Sequence, residues 1–232
     1  GYSSGYGEVQ RMSERDKMRS GEAFDGRDAE IIALRDRGQT LLRELNRYKA
    51  GDTLHHEICG ELFEHIGPGS IVSTPFCCEF GSNIRIGTHS YVNFNVTMLD
   101  VGPIIIGDNV SLSEYVHIGC VNHVEIGNNV LMGSKIYITD HNHGVYRGTH
   151  PDSPDVPPVK RPLTTGESVI IEDNVWIGEF ATILPGVTIG YGSIIGSHTT
   201  VTHDIPPKSI AVGSPARVVK QWDEEKKIWK KV

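Results

Sequence analysis

Residues 138–144 read Ile-Thr-Asp-His-Asn-His-Gly, which sets His141 and His143 two positions apart behind Asp140. An imidazole held on a rigid edge is the usual general base near neutral pH. In extended backbone, residues two apart share a side, so the two rings face one way and Asp140 and Asn142 the other. That arrangement suits removal of a proton from a hydroxyl. It suits a solvated pair of surface histidines equally well, and the segment alone does not choose between them.

The elements around the pair narrow the choice. Aliphatic residues recur at every sixth position in Ile171, Ile177, Ile183, Ile189, Ile195 and Val201. The same step runs through Ile86, Val92, Met98 and Ile104, resumes at Ile106, Leu112, Ile118 and Val124, slips by two, and continues at Ile126, Met132 and Ile138. Neither a helix nor a plain strand has a period of six. A hexapeptide repeat marks a parallel β-helix, in which three hexapeptides make one triangular coil of about eighteen residues. Between Asp140 and Gly166 the period stops, and the chain becomes rich in proline, glycine and polar residues. Residues 141–166 therefore form a loop thrown out from the prism, and long loops in compact domains are commonly functional. His141 and His143 stand at its root, where it leaves a rigid strand.

The remaining segments frame this prism. Residues 1–11, Gly/Ser/Tyr-rich and aperiodic, read as a loose tail or an expression remnant. Residues 12–66 carry Ile31, Leu34, Leu41, Leu42 and Leu45 at roughly helical spacing and read as a helical cap of two short helices. A solenoid end exposes unpaired backbone, so a cap is expected there. The β-helix spans 67–205, and 206–232 form a C-terminal segment ending in a short helix over Trp-Asp-Glu-Glu-Lys-Lys-Ile-Trp-Lys-Lys-Val. The fold class is all-β dominated.

Composition excludes several functions. The 38 % hydrophobic and 22 % charged content is that of a globular protein, and a net charge of −7 argues against nucleic acid as the main partner. Apolar runs such as Gly-Pro-Ile-Ile-Ile-Gly are too short to cross a bilayer. No secretory leader is expected. Cys59, Cys77, Cys78 and Cys120 lack paired CxxC spacing, so they read as free thiols in a reducing, cytoplasmic setting.

Two stretches, Val-Ile-Ile-Glu-Asp-Asn-Val-Trp-Ile-Gly (169–178, continuing to Gly190) and Asp-Ile-Pro-Pro-Lys-Ser-Ile-Ala-Val-Gly-Ser-Pro-Ala-Arg-Val-Val (204–219), closely resemble the C-terminal half of the hexapeptide-repeat acyltransferases. The resemblance runs over about residues 12–222. The stretches 79–87 and 91–110 are similar to maltose and galactoside O-acetyltransferases, and residues 138–144 with the Arg-Pro-Leu of the loop to O-acetyltransferases of bacterial surface polysaccharides. This resemblance implies a left-handed β-helix, a homotrimer and direct transfer from acetyl-CoA as acyl donor to a sugar hydroxyl, with no metal. It maps the family's base onto His143, with His141 and Asp140 in support. It assigns Trp176, Glu179, Ser197, Thr202, His203, Arg217 and Lys220 to coenzyme A, with Arg217 and Lys220 as phosphate partners. It assigns Glu79, Tyr91, Asn93 and Asp100 to the acceptor. His203 departs from the lysine common at that position in sugar acetyltransferases. From Gly107 to Gly127 the chain holds about one coil more than the maltose branch, in strands spaced by about 4.8 Å, which adds Asn122 and His123 to the acceptor candidates.

Rival readings remain. A γ-class carbonic-anhydrase-like protein would bind zinc through histidines, and His117 and His123 invite that comparison, although six residues apart they fall on successive prism faces. A non-catalytic scaffold is a third reading. Among transferases, amino-acid, nucleotide-sugar amine and antibiotic acceptors stay open.

Overall fold

The computed structural model describes residues 11–232. Ten of the eleven residues read above as a tail lie outside them.

Short β-branched segments build three parallel faces. The first sheet stacks His65–Ile66, Ile84–Ile86, Ile104–Ile106, Val124–Ile126, Val169–Ile171 and Thr188–Ile189. The second stacks Ile71–Val72, Tyr91–Val92, Ser111–Leu112, Leu131–Met132, Trp176–Ile177 and Ile194–Ile195. The third stacks Phe76–Cys78, Val96–Asp100, His117–Cys120, Tyr137–Thr139, Thr182–Ile183 and Thr200–Val201. One strand from each sheet makes a coil, and the described residues form six complete coils. Side chains alternate in and out, so Met98, Ile106, Leu112, Ile118, Ile126, Met132 and Ile138 lie in one continuous core at 2 % exposure or less. Register passes without slippage, as in Ile84↔Ile104↔Val124↔Val169.

Coil length corrects the expectation of eighteen residues. Ile66, Ile86, Ile106 and Ile126 are paired partners twenty positions apart, whereas Ile171 pairs with Ile189 at eighteen. Both extra residues sit at the corner from the third sheet to the first, because the step there is Met98 to Ile106, against Ile183 to Ile189 later. The slip by two in the repeat is this corner.

The corner between the first and second sheets is held by a ladder of side chains. Asp108 Oδ1 accepts from the Thr88 N–H at 2.7 Å, Asn128 Oδ1 from that of Asp108 at 2.8 Å, and Asp173 Oδ1 from that of Asn128 at 2.7 Å. Asn109, Asn129 and Asn174 turn the chain at φ of 53, 56 and 60°, a region asparagine tolerates.

The cap holds three helices, not two: α1 (Glu14–Ser20), α2 (Ala29–Leu45) and α3 (Thr53–Leu62). The short apolar pattern of Ile58, Cys59 and Leu62 in α3 becomes helical because it closes the open end of the first coil. Polar side chains of α2 and its C-cap stand in for the absent preceding strand. Asn46 accepts from the Phe76 N–H at 2.8 Å and donates to its carbonyl at 2.9 Å, and Gln39 donates to the Cys78 and Glu79 carbonyls.

The C-terminal helix does not form. Ser209–Val212 extends the second sheet, and Arg217–Asp223 and Ile228–Lys231 follow as antiparallel strands. The exposed edge of the last coil offers a template, Trp222 packs across from Trp229 at 5.5 Å, and Asp223 closes the turn by accepting from the Glu225 and Lys226 N–H groups. Pairing overrides the helical look of the charged run.

Glycine in mid-helix costs about 0.8–1 kcal/mol relative to alanine, yet Gly38 is buried in α2. A Cβ there would lie 2.2 Å from the Phe80 carbonyl oxygen. The clash outweighs the propensity gain, so Gly38→Ala is expected to lower the urea midpoint. A raised midpoint would contradict this docking of α2.

Candidate active site

The corner from the third sheet to the first needs a device to hold its two extra residues, and aspartate supplies it twice. Asp100 is fully buried. Its carboxylate accepts from the N–H groups of Glu79, Phe80 and Asn83 at 3.1, 2.9 and 3.2 Å. Burial pushes its carboxyl up to about 6 against the pull of backbone donors. Asp140 occupies the equivalent corner two coils on. Its oxygens accept from the N–H groups of Val121, Asn122 and His123, each at 2.8 Å. Asp140 also accepts a contact that Asp100 lacks: His141 Nδ1 lies 3.0 Å from its Oδ1. Burial alone would raise the Asp140 carboxyl, but the histidine and the three backbone donors outweigh it and hold it below the usual aspartate value.

His141 therefore has a fixed ring. It lies two residues beyond the strand Tyr137–Thr139, is half-buried, and sits over Gly119 of the coil before, where an added Cβ would be 3.7 Å from its Cε1. With Nδ1 engaged by a carboxylate, Nε2 is the nitrogen left to meet a substrate. His143 differs. It is exposed, its ring centroid is 6.4 Å from that of His141, and its backbone is what is held, by a bridge to Leu163 and by the Tyr146 hydroxyl on its carbonyl.

The projecting loop is ordered by its own contacts. Thr164 N–H donates to the Asn142 carbonyl at 3.1 Å, the Asn142 N–H donates to Thr164 Oγ1 at 2.9 Å, and Gly144 N–H donates to the Pro162 carbonyl at 2.8 Å. Arg161 donates to the Val156 and Pro154 carbonyls and to the Tyr146 hydroxyl, across the loop. Between the loop and Ala23 lies a cavity of about 570 Å³, walled by Asn142, Tyr146, Arg147, Thr164 and Glu167.

The residues expected from the resemblance to meet the donor lie on other edges. Trp176, 51 % exposed, projects from the second sheet between Leu131 and Ile194. Glu179 and Ser197 are exposed at the corner between the second and third sheets. Thr202 Oγ1 meets His203 Nδ1 at 2.9 Å, on the same corner as His141 but two coils along. Arg217 and Lys220 follow on the antiparallel strand. Sequence reasoning missed Phe180 and His198, exposed rings stacked 4.7 Å apart beside Glu179 and Ser197, with Lys135 Nζ 5.2 Å from the Phe180 centroid. Their separation of eighteen positions, one coil, is the signal that would have found them.

The acceptor candidates are scattered as well. Tyr91 donates to Asn93 Oδ1 at 3.3 Å on the second sheet, and Glu79 pairs with Arg35 at 2.8 Å on the third. His123 is half-buried and bonded to Glu125. Asp100 and Asn122, expected at the acceptor, have their side-chain polar atoms engaged inside the protein. His117, of the zinc reading, stacks against Tyr137 on a different face from His123. One chain thus brings His141, Asp140, Asn122 and the loop root together and leaves Trp176 and Tyr91 across the third sheet.

Residues 168–203 match the bacterial transferase hexapeptide (six repeats), and residues 17–67 match the maltose acetyltransferase hexapeptide capping motif. The galactoside O-acetyltransferase of Escherichia coli (strain K12) is 31 % identical over 93 % of this chain and 93 % of its own length. The chain belongs to the hexapeptide-repeat acetyltransferases. A second E. coli K12 relative, WbbJ, provisionally named a lipopolysaccharide biosynthesis O-acetyl transferase, is 39 % identical over 66 % of this chain and 76 % of its own. Among solved structures, a hexapeptide-repeat-containing acetyltransferase from Vibrio cholerae O1 biovar eltor, complexed with acetyl coenzyme A, is similar at a TM-score of 0.65 and 35 % identity, covering 92 % of this chain and 100 % of that one.

In this hexapeptide-repeat acetyltransferase the three buried thiols are poor nucleophiles. Burial pushes Cys59 up to about 12 and raises Cys78 and Cys120 further, and only a thiolate attacks readily. Cys77 alone among the four is exposed. An aromatic disulfide reagent should titrate one thiol in the native protein and four after denaturation, and Cys77→Ser should retain full transferase activity. Loss of activity in that variant would restore a covalent route.

Proposed function

We propose that this acetyl-CoA-dependent acetyltransferase transfers its acetyl group to a saccharide hydroxyl, of a surface polysaccharide or related sugar, with His141 as general base. The observation that carries this reading is the 3.0 Å contact of His141 Nδ1 with the buried Asp140 carboxylate. That contact moves the proposed base from His143, the residue expected from sequence, to His141. A buried carboxylate orients an imidazole and stabilises its protonated form; an exposed ring on a loop has neither aid.

In the proposed reaction His141 Nε2 takes the proton of the acceptor hydroxyl. The oxygen attacks the thioester carbonyl of acetyl-CoA and forms a tetrahedral oxyanion, which backbone N–H donors at a turn would stabilise. The C–S bond then breaks, and the protonated His141 returns its proton to the departing coenzyme A sulfur. Holding both substrates together removes much of the entropic barrier, so no protein nucleophile is needed.

We assign the donor to Trp176, Glu179, Ser197, Thr202, His203, Arg217 and Lys220, with Arg217 and Lys220 toward its phosphates. The acceptor would meet Glu79, Tyr91, Asn93 and His123, and the 570 Å³ cavity beside the loop root has room for further sugar units. The distance across the third sheet between His141 and Trp176 supports a homotrimer with each site shared by two protomers, under threefold cyclic symmetry. The extra coil from Gly107 to Gly127 would set acceptor choice by separating Tyr91 and Asn93 from the loop root.

His141→Ala should lower turnover by about 10²–10⁴-fold, the usual worth of a general base, and His143→Ala far less. Initial rates of thiol release from acetyl-CoA, over a panel of hydroxyl and amine acceptors, measure both effects and the acceptor class. A nearly silent His141→Ala with a lethal His143→Ala would reverse the assignment. Sedimentation should give a trimer; a fully active monomer would refute the shared site.

A further inference from the structure

We propose that Asn122 is a positioning residue that locks the return arm of the projecting loop to the corner holding His141. The inference rests on His141 as base, and the experiment separates the two claims. Asn122 is 8 % exposed. Its Nδ2 donates to the Asp140 carbonyl at 3.0 Å and to the Thr164 carbonyl at 2.9 Å, and its Oδ1 accepts from the Gly166 N–H at 3.2 Å. Its own N–H donates to Asp140 Oδ2 at 2.8 Å. One amide therefore grips the residue just before the loop and two residues near its end.

These bonds close a ring around His141. Asp140 engages the imidazole from one side. On the other, Thr164 is bonded twice to Asn142, the residue after His141. Asn122 joins Asp140 to Thr164, so the main chain flanking His141 is tied on both sides to one buried side chain. α1 closes the same spot from outside, because a Cβ added at Gly21 would lie 3.0 Å from Asn122 Oδ1.

The fold supplies its own control. Asn83 occupies the equivalent corner two coils earlier. It is 1 % exposed, its Nδ2 donates to the Asp100 and Val101 carbonyls at 2.8 and 3.3 Å, and its N–H donates to Asp100 Oδ2 at 3.2 Å. Both asparagines satisfy a buried corner, but only Asn122 reaches a loop. Loss of either amide should destabilise the fold similarly. Loss of Asn122 alone should free residues 164–166.

The test compares Asn122→Ala, Asn83→Ala and Thr164→Val in the full-length protein. Thr164→Val removes the bond from Asn142 N–H and leaves the Asn122 corner intact, so it carries the test if Asn122→Ala does not fold. Limited trypsin digestion reports the loop through Arg147 and Lys160. Initial rates with acetyl-CoA and methyl β-galactoside report kcat and both KM values. Asn122→Ala should be cut in the loop at least about tenfold faster than wild type and lose about 10–100-fold in kcat, the scale of a misplacement near 1 Å. Its KM for acetyl-CoA should change less than about twofold, since donor groups lie in later coils. Thr164→Val should move the same way by less, and Asn83→Ala should match wild type in both readouts despite a lowered melting point. Equal trypsin and kcat behaviour in Asn122→Ala and Asn83→Ala, or a silent Thr164→Val where Asn122→Ala is unfolded, would overturn the lock. A freed loop with unchanged kcat, while His141→Ala is inactive, would overturn the positioning role and spare the base. An active His141→Ala would sink the base and leave the trypsin result to judge the lock.

Discussion

A carboxylate removed from water must be surrounded by donors, and the Asp140 corner meets that demand in a way that organises everything near it. Three successive N–H groups, of Val121, Asn122 and His123, point at one side chain because the corner turns there with two residues more than a hexapeptide needs. An ionised aspartate is stable in that nest. Once it is stable, it can hold an imidazole. The histidine is fixed by a group that the fold already needs for its own closure.

Asp100 makes the logic visible because it lacks the histidine. It is as fully buried and has comparable backbone donors, and its carboxyl is pushed up to about 6 rather than held down. The added contact with His141 joins the three backbone donors in holding the Asp140 carboxyl below its usual value. The same duplication separates structural from functional asparagine. Asn83 closes a corner onto neighbouring backbone, and Asn122 spends an equivalent donor on the loop. Repetition lets one coil carry chemistry while its neighbours carry only structure.

The parallel ladders explain why such a site can be accurate. Each strand in the middle coils is bonded on both edges, so a side chain at a strand end inherits the stiffness of the stack. The loop leaves that stack at a point tied down by Asp140 and returns at a point tied down by Asn122. Groups we assign to the donor, such as Trp176, face outward across the prism from His141, so a single chain holds the parts of the proposed site without assembling them.

Much of this was written in local pattern. The aliphatic step of six marks a triangular prism, and Ile171, Ile177 and Ile183 are all buried in it. The proline-rich break and the histidines at its root are equally local, and so are the family motifs at 169–190 and 204–219. Other features depended on neighbours distant in sequence. Residues 217–231 became strands because the last coil presents an open edge to them, and residues 53–62 became a helix because the first coil needs a lid. His141 and His143 differ by two positions and by no pattern of their own. What separates them is a carboxylate folded inward beneath three N–H groups from the preceding coil, so that burial and hydrogen bonding across twenty residues, and not residue type or spacing, decide which imidazole is held.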